Sequence, residues 1–427
     1  MRTFILFFSL LTAATLTGCL KDECTETRSF IRLDPVYISQ AELDDGISHS
    51  GPRDLERPGI IYSYGKYLLI NEFQKGIHII DNSDPNNPEP ISFIEIAANE
   101  HFAVFKHQIQ ANRYNALVTI DIRDPRNPVE KSRIEDAFET FYFQEGRGYL
   151  AYYRESDQRQ VLDCADPNFN SVRWSNGQGG PVFFANRQEV FAFDNAAVRD
   201  NGGSGAGTGG STARFTIAAN HLYAVNSWEL QIFDLEDPCK PRSAARTNVG
   251  WGIETIYPFQ DKLFIGSTQG MFIYDISTPG SPLYLTSFNH ATACDPVVSD
   301  GETAYVTLRD GSMCQGFANQ LDVIDVTNVT HPQLIDTYQM DNPHGLAIND
   351  DLLYICEGIY GLKVLDRSNP KKVKELTHLK NVDARDIIVL ASDLALVVGR
   401  DGLKQYSLDN PAKPVEISTI DVVNNNF

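Results

Sequence analysis

Ile77-His78-Ile79-Ile80-Asp81-Asn82-Ser83-Asp84-Pro85 is an apolar strand-like run, an acidic residue and a proline turn. The same succession returns as Met271-Phe272-Ile273-Tyr274-Asp275-Ile276-Ser277-Thr278-Pro279 and as Leu362-Lys363-Val364-Leu365-Asp366-Arg367-Ser368-Asn369-Pro370. Five further copies centre on Asp121, Asp163, Asp234, Asp325 and Ser407, so the gaps are 40, 42, 71, 41, 50, 41 and 41 residues. A period of about 41 in a β-rich chain reads as a propeller with one repeat per blade. The seventh copy serves as template. His344–Ile348, Leu352–Cys356, Leu362–Leu365 and Lys372–Leu376 read as its four strands, which match one antiparallel blade. No segment sustains a 3.6-residue apolar period, which excludes helical and leucine-rich repeats. The expected fold is all-β, a propeller of about eight four-stranded antiparallel blades over 58–427. The alternative is seven, if the degenerate third copy merges with the insertion that follows it.

The turn has a mechanical logic. An Asp after the third strand accepts backbone N–H groups in an Asx-turn, and the Pro presets φ for the bend. In the Asp325 copy Val329 replaces that Pro. These aspartates therefore read as turn residues, not ligands. Third-strand positions are apolar almost throughout, as an inner strand covered on both faces requires.

Leu321-Asp322-Val323-Ile324-Asp325-Val326 and its sister copies resemble the LVIVD-repeat family of bacterial and archaeal surface proteins, over about Pro58 to Val423. The lipoprotein branch found in Bacteroidetes is the nearest likeness. The resemblance implies a β-propeller and carries no activity with it. The third copy, Arg159-Gln160-Val161-Leu162-Asp163, departs most, and the eighth has Ser407 in place of Asp.

The address is written at the N-terminus. Phe4–Leu16 is an apolar run too short to span a bilayer, and it reads as the core of a signal peptide over 1–18. Leu16-Thr17-Gly18-Cys19 resembles the lipobox of bacterial lipoproteins, which implies a mature chain beginning at lipidated Cys19. More than one acyl chain gives stable anchoring. Lys21-Asp22-Glu23 resembles a surface-export signal, so the expected address is the outer face of the outer membrane, with a periplasm-facing location as the alternative. Residues 19–57 form a tether. Within it Ser29–Gln40 reads as strand and is expected to latch the closing blade. Net charge is −20, and loss of Arg2 with the signal makes it −21. Nucleic acid is excluded as a partner, because its affinity needs a basic patch. The propeller is expected to be monomeric.

Of the cysteines after Cys19, Cys294 and Cys314 fall at the same end of the sixth repeat and are expected to form a disulfide. Cys164 and Cys239 sit on the same type of turn, where a bond would be strained. Cys24 and Cys356 give no signal.

Two regions could carry chemistry. The 71-residue gap exceeds the period by about 30 residues, placing an insertion at about 175–211; long surface loops often bind partners. Its run Gly205-Ala206-Gly207-Thr208-Gly209-Gly210 fits GxGxxG in form but lacks a strand–helix unit, and it reads as a linker. The second region is a ring at the channel mouth. Glu254, Asp295, His344 and Asp386 stand at or just before first strands, with His101 and Arg57 near the same place. Carboxylates and histidines so placed would hold a divalent cation or polar ligand, or else satisfy backbone N–H groups between blades. No cofactor is otherwise expected. There is no HExxH or GxSxG, and three tryptophans, Trp174, Trp228 and Trp251, are too few for the docking motifs of quinoprotein propellers.

The leading functional expectation is a non-enzymatic binding or scaffold lipoprotein presenting loops to a protein or glycan. The rival is a channel-mouth enzyme, a metal-assisted lyase or hydrolase on carbohydrate. A third class is an assembly or sensor subunit of an envelope complex. The functional end is expected to be the one with the second-to-third-strand loops and blade connections.

Overall fold

A computed structural model describes residues 25–138, 143–163, 208–209, 213–267, 270–289, 296–309, 319–400 and 402–423. The described residues form eight sheets, all antiparallel in their strand pairs, with one five-residue α-helix and a 3-10 turn. Seven sheets contain four consecutive strands in simple sequential order, one for each of repeats 1, 2, 4, 5, 6, 7 and 8. The all-β blade expectation therefore holds. The eighth sheet has three strands and contains the third repeat. Its Arg159–Asp163 is the end of one long strand, Gly148–Asp163, lying between Thr25–Ile38 and Phe143–Gln144.

The ring closes without that sheet. Phe102 and Val104 of repeat 2 share one core with Phe215 and Phe233 of repeat 4. Further shared cores join repeats 4 and 5, then 5 to 7, then 7 and 8. Ile388 and Leu396 of repeat 8 meet Ile61 and Leu68 of repeat 1 to complete the circle. The blades so joined are the seven of the alternative count. The second and third strands are nearly all buried: Ala116–Asp121 has no exposed residue. Fourth strands face water, as in Arg242–Asn248. Each buried aliphatic side chain contributes about 1.5–3 kcal/mol.

The Asp–Pro turn behaves as its chemistry requires. The side-chain oxygen of Asp81, Asp121, Asp234, Asp275, Asp325 and Asp366 accepts the backbone N–H two residues on, at 2.8–3.0 Å. Ser407 Oγ does the same for Asp409 at 3.2 Å. The prolines have a second use. The carbonyl of Pro85 accepts from Ser418 Oγ, that of Pro125 from Ser92 Oγ and that of Pro238 from Gln110 Nε2. Tyr223 and Tyr354 donate likewise to Pro279 and Pro411. Each bond runs to the next blade of the ring, and that from Gln110 passes from repeat 2 directly to repeat 4. All seven blades also share a β-bulge between third and fourth strands, for example opposite Ile79 and Ile80. Bulges add twist, which fanned blades need.

The N-terminal segment departs from expectation. Residues 29–40 do not pair with the closing blade, because the strand Thr25–Ile38 lies beside Gly148–Asp163. After it comes the helix Gln40–Asp44, which opens on a Ser39–Glu42 capping box. The buried Arg113 guanidinium donates to the carbonyls of Glu42, Leu43 and Asp45, the last bonds of a helix that has no basic residue of its own there. Ser48–Ser50 then adds outside the fourth strand of repeat 1. Closure falls to Leu55, which bridges Val422 and accepts the Val423 N–H.

The chain divides into two compact units: Met1–Val36 with Tyr153–Gln188, and Tyr37–Tyr152 with Glu189–Phe427. Every blade belongs to the second. Cys19, the Cys294–Cys314 pair and most of the insertion lie outside the described residues. Thr208–Gly209 of the glycine run is not linker but strand, paired on the inner edge of repeat 1.

Candidate functional site

Strand direction alternates, so the second-to-third-strand loops and the blade connections share one end, and first strands begin there. Each incoming chain brings backbone N–H groups that need acceptors. In repeat 7, Glu357 accepts the N–H groups of Asp341 and Asn342 at 2.8 and 2.7 Å. Lys363 Nζ lies 3.1 Å from its other oxygen. In repeat 1, Glu72 accepts those of Glu56 and Arg57, with His78 Nε2 at 3.1 Å. In repeat 2, Asn112 Oδ1 accepts those of Glu100 and His101. In these three repeats the N–H groups are thus capped by Glu357, Glu72 and Asn112, none of them a residue of the expected ring. Each stands four residues before Gly76, Ala116 or Gly361, which open the third strand or, for Gly361, immediately precede it. That spacing was readable in the sequence. Gly76 and Gly361 have φ of 147° and 111°, and a Cβ there would meet the carbonyls of Ile94 and Leu379 at 1.9 and 2.0 Å.

The ring residues fall into separate groups. Arg57 is exposed and lies over the Phe73 ring at 5.4 Å. His101 packs against Phe215, with ring centroids 5.8 Å apart, and its Nδ1 is shielded with no hydrogen-bond partner. Burial first, then Arg214, holds its imidazole down at about 3. Glu100, which sequence reasoning passed over, accepts from Gln74 Nε2 at 3.3 Å, and burial pushes its carboxyl up. Glu254 stands near this group through its carbonyl, which accepts from Arg214 Nε at 3.1 Å.

A second group surrounds His344. Its Nδ1 is 2.6 Å from Arg309 Nη1 and its Nε2 is 3.1 Å from Asn342 Nδ2. Burial, Arg309 and Arg385 hold its imidazole well below its ordinary value. Arg385 donates to Asp383 at 3.0 Å. Asp386 is fully buried, and after burial itself it is the next cause raising the Cys356 thiol. Asp295 lies outside the described residues. Among the described residues no three His, Cys, Asp or Glu side chains gather to hold a metal ion. The sequence reading weighed carboxylates and histidines but not Arg214, Arg309 and Arg385, whose charges stand beside both histidines and oppose a cation.

Sequence reasoning also passed over an aromatic pair. Trp228 follows the second strand of repeat 4, and Trp251 follows its fourth, so the two connections meet at this end. The indoles stack with centroids 5.8 Å apart and planes 9° from parallel, and Trp251 is 68% exposed. The same end carries exposed Ile359 and Tyr360 in repeat 7.

The LVIVD repeat family model matches residues 61–92, 111–136 and 300–340, within repeats 1, 2 and 6. The chain carries LVIVD repeats. Each match spans an acidic turn, at Asp81, Asp121 or Asp325, and strands around it. No curated protein matches the chain. Solved structures with some likeness include the computationally designed Ika8 protein, at 9% identity, covering 87% of this chain and 91% of that one, TM-score 0.47. A functionally unknown protein from Desulfotomaculum acetoxidans has 9% identity, 86% and 98% coverage and a TM-score of 0.49. Hsv2 of Kluyveromyces lactis has 11% identity, 87% and 96% coverage and a TM-score of 0.46. At these scores none carries an argument about this LVIVD-repeat chain. Among the described residues no helix is long and apolar enough to cross a membrane.

Proposed function

We propose that this is a lipid-anchored binding propeller of the outer membrane, which presents its irregular loop end to an extracellular or envelope partner. The observation that supports this reading most is the exposed, stacked Trp228–Trp251 pair at that end. A large aromatic as exposed as Trp251 marks an interaction site. The opposite end repeats one turn from blade to blade and offers little to tell partners apart. Cys19 supplies the anchor in this reading, and Lys21-Asp22-Glu23 the export to the outer face.

Two experiments test it. Cys19→Ala should move the protein out of the membrane fraction; unchanged fractionation means another anchor. The mature chain, immobilised, should capture envelope material, and Trp251→Ala with Tyr360→Ala should lose that capture. Loss instead in a variant of the Asp–Pro end, such as Asn86→Ala with Lys413→Ala, rejects the loop end.

Glu100 and His101 favour a second reading. A carboxyl pushed up by burial beside a neutral imidazole suits acid–base work at a channel mouth. Turnover of an envelope polysaccharide that is abolished by Glu100→Gln would select this enzyme over the binder.

A further inference from the structure

Trp251 lies in Asn248-Val249-Gly250-Trp251-Gly252. The flanking glycines have φ of 150° and 72°, so neither chain neighbour of Trp251 puts a side chain beside the indole. A Cβ on Gly250 would meet the Phe272 ring at 3.0 Å. The carbonyl of Trp228 accepts the N–H groups of Val249 and Gly250, which ties the two connections together. One face of Trp251 is backed by Trp228 at 9°, and the residue is otherwise largely open. The surroundings are polar. Glu229 follows Trp228 and pairs across the strands with exposed Asn248. Glu229 Oε2 is shielded and has no hydrogen-bond partner in the protein.

A protein hot spot sits in a fully desolvated, well-packed patch. A single backed indole among glycines, an amide and a carboxylate lacks that apolar rim. It suits a flat ring with one C–H face and hydroxyls at its edge: the C–H face lies on the indole, and the exposed Asn248 amide of the same connection takes the hydroxyls. The formal charge of −20 and the carboxylate of Glu229 oppose a polyanion. From this geometry we infer that Trp251, backed by Trp228, is a stacking platform for a pyranose ring of a neutral glycan. The inference deepens the binding-propeller reading and rests on it.

The test uses the mature chain with Trp174→Phe, so that indole emission reports only the pair. Neutral hexaoses of β-1,4-glucan, β-1,3-glucan, xylan and mannan are titrated, with a polyuronate hexaose as the charged comparison. A saturable emission shift with at least one neutral hexaose is expected. Calorimetry on Trp251→Ala should show affinity reduced about tenfold or more, with Trp251→Phe in between. An unchanged melting temperature in Trp251→Ala, expected from its exposure, keeps the loss attributable to the platform. The inference is overturned if no neutral hexaose shifts emission at about 10 mM, too weak for a site. It is also overturned if Trp251→Ala binds as wild type, or if the polyuronate binds tightest. Capture of a protein that depends on Trp251 without any hexaose binding sinks the glycan and leaves the binding reading standing. Capture that ignores the loop end sinks both.

Discussion

The two ends of the propeller solve the same problem in opposite ways. At the Asp–Pro end, seven turns satisfy their N–H groups with one local device, a side-chain oxygen reaching two residues along. At the loop end, incoming N–H groups are met by Glu72, Asn112 or Glu357, each reaching 11 to 16 residues back. A local device can be copied without regard to the neighbours. A long-range one depends on what else is buried there, and so each blade differs. Variety at one end is what makes the two faces of the molecule different.

The contrast can be broken most directly at Glu357. Glu357→Ala leaves the buried Lys363 with only the exposed Asp341 as partner and strands two N–H groups, so a loss of about 3–5 kcal/mol is expected by denaturant unfolding. Asp366→Asn, the matching change at the other end of that blade, should cost far less, since Asn keeps the Asx-turn. Equal losses would refute the asymmetry.

Acid should separate the ends by where stability is lost. His101 and His344 are held below the ordinary imidazole value of 6.5, so the unfolded chain takes protons that the folded one refuses. Their contribution is present above about pH 6.5 and falls as pH drops from there, towards 3 for His101, with a slope of about 1.4 kcal/mol per pH unit for each histidine. Replacing both with Asn should flatten the melting temperature over that window. The turn carboxylates of Asp81 and Asp275 are held down to about 2, chiefly by Lys66 and Ser277. Their smaller contribution is present above about pH 4 and is lost only as pH falls towards 2. Asp275→Asn should lower the melting temperature slightly at pH 7 and converge with wild type as pH falls towards 2.

A smaller effect tests the prolines. Tyr354→Phe removes the bond to Pro411 between repeats 7 and 8 and should cost about 1 kcal/mol, leaving the fold intact. No change would reduce that bond to a bystander. The smallest effect is chemical. Cys356 is buried at the loop end with its thiol pushed up, whereas Cys239 stands partly exposed in a turn. Native alkylation should label Cys239 and spare Cys356.

The period, the Asp–Pro turn and the apolar third strands specified blades, because strand alternation and turn chemistry are local and a sequence displays local rules directly. The same is true of Ser407 taking the place of Asp. The blade count was not local: it turned on whether Phe102 would meet Phe215 across the skipped third repeat. So did the fate of 29–40, whose strand-like pattern shows that it will pair and not with what. His101 and His344 were found by position, but what holds them neutral is burial first and then Arg214, Arg309 and Arg385, which come from other repeats than the histidines. Trp228 and Trp251 stand 23 residues apart and become a platform only when two connections meet. A sequence fixes what each segment can satisfy by itself; only packing decides which distant group satisfies the remainder.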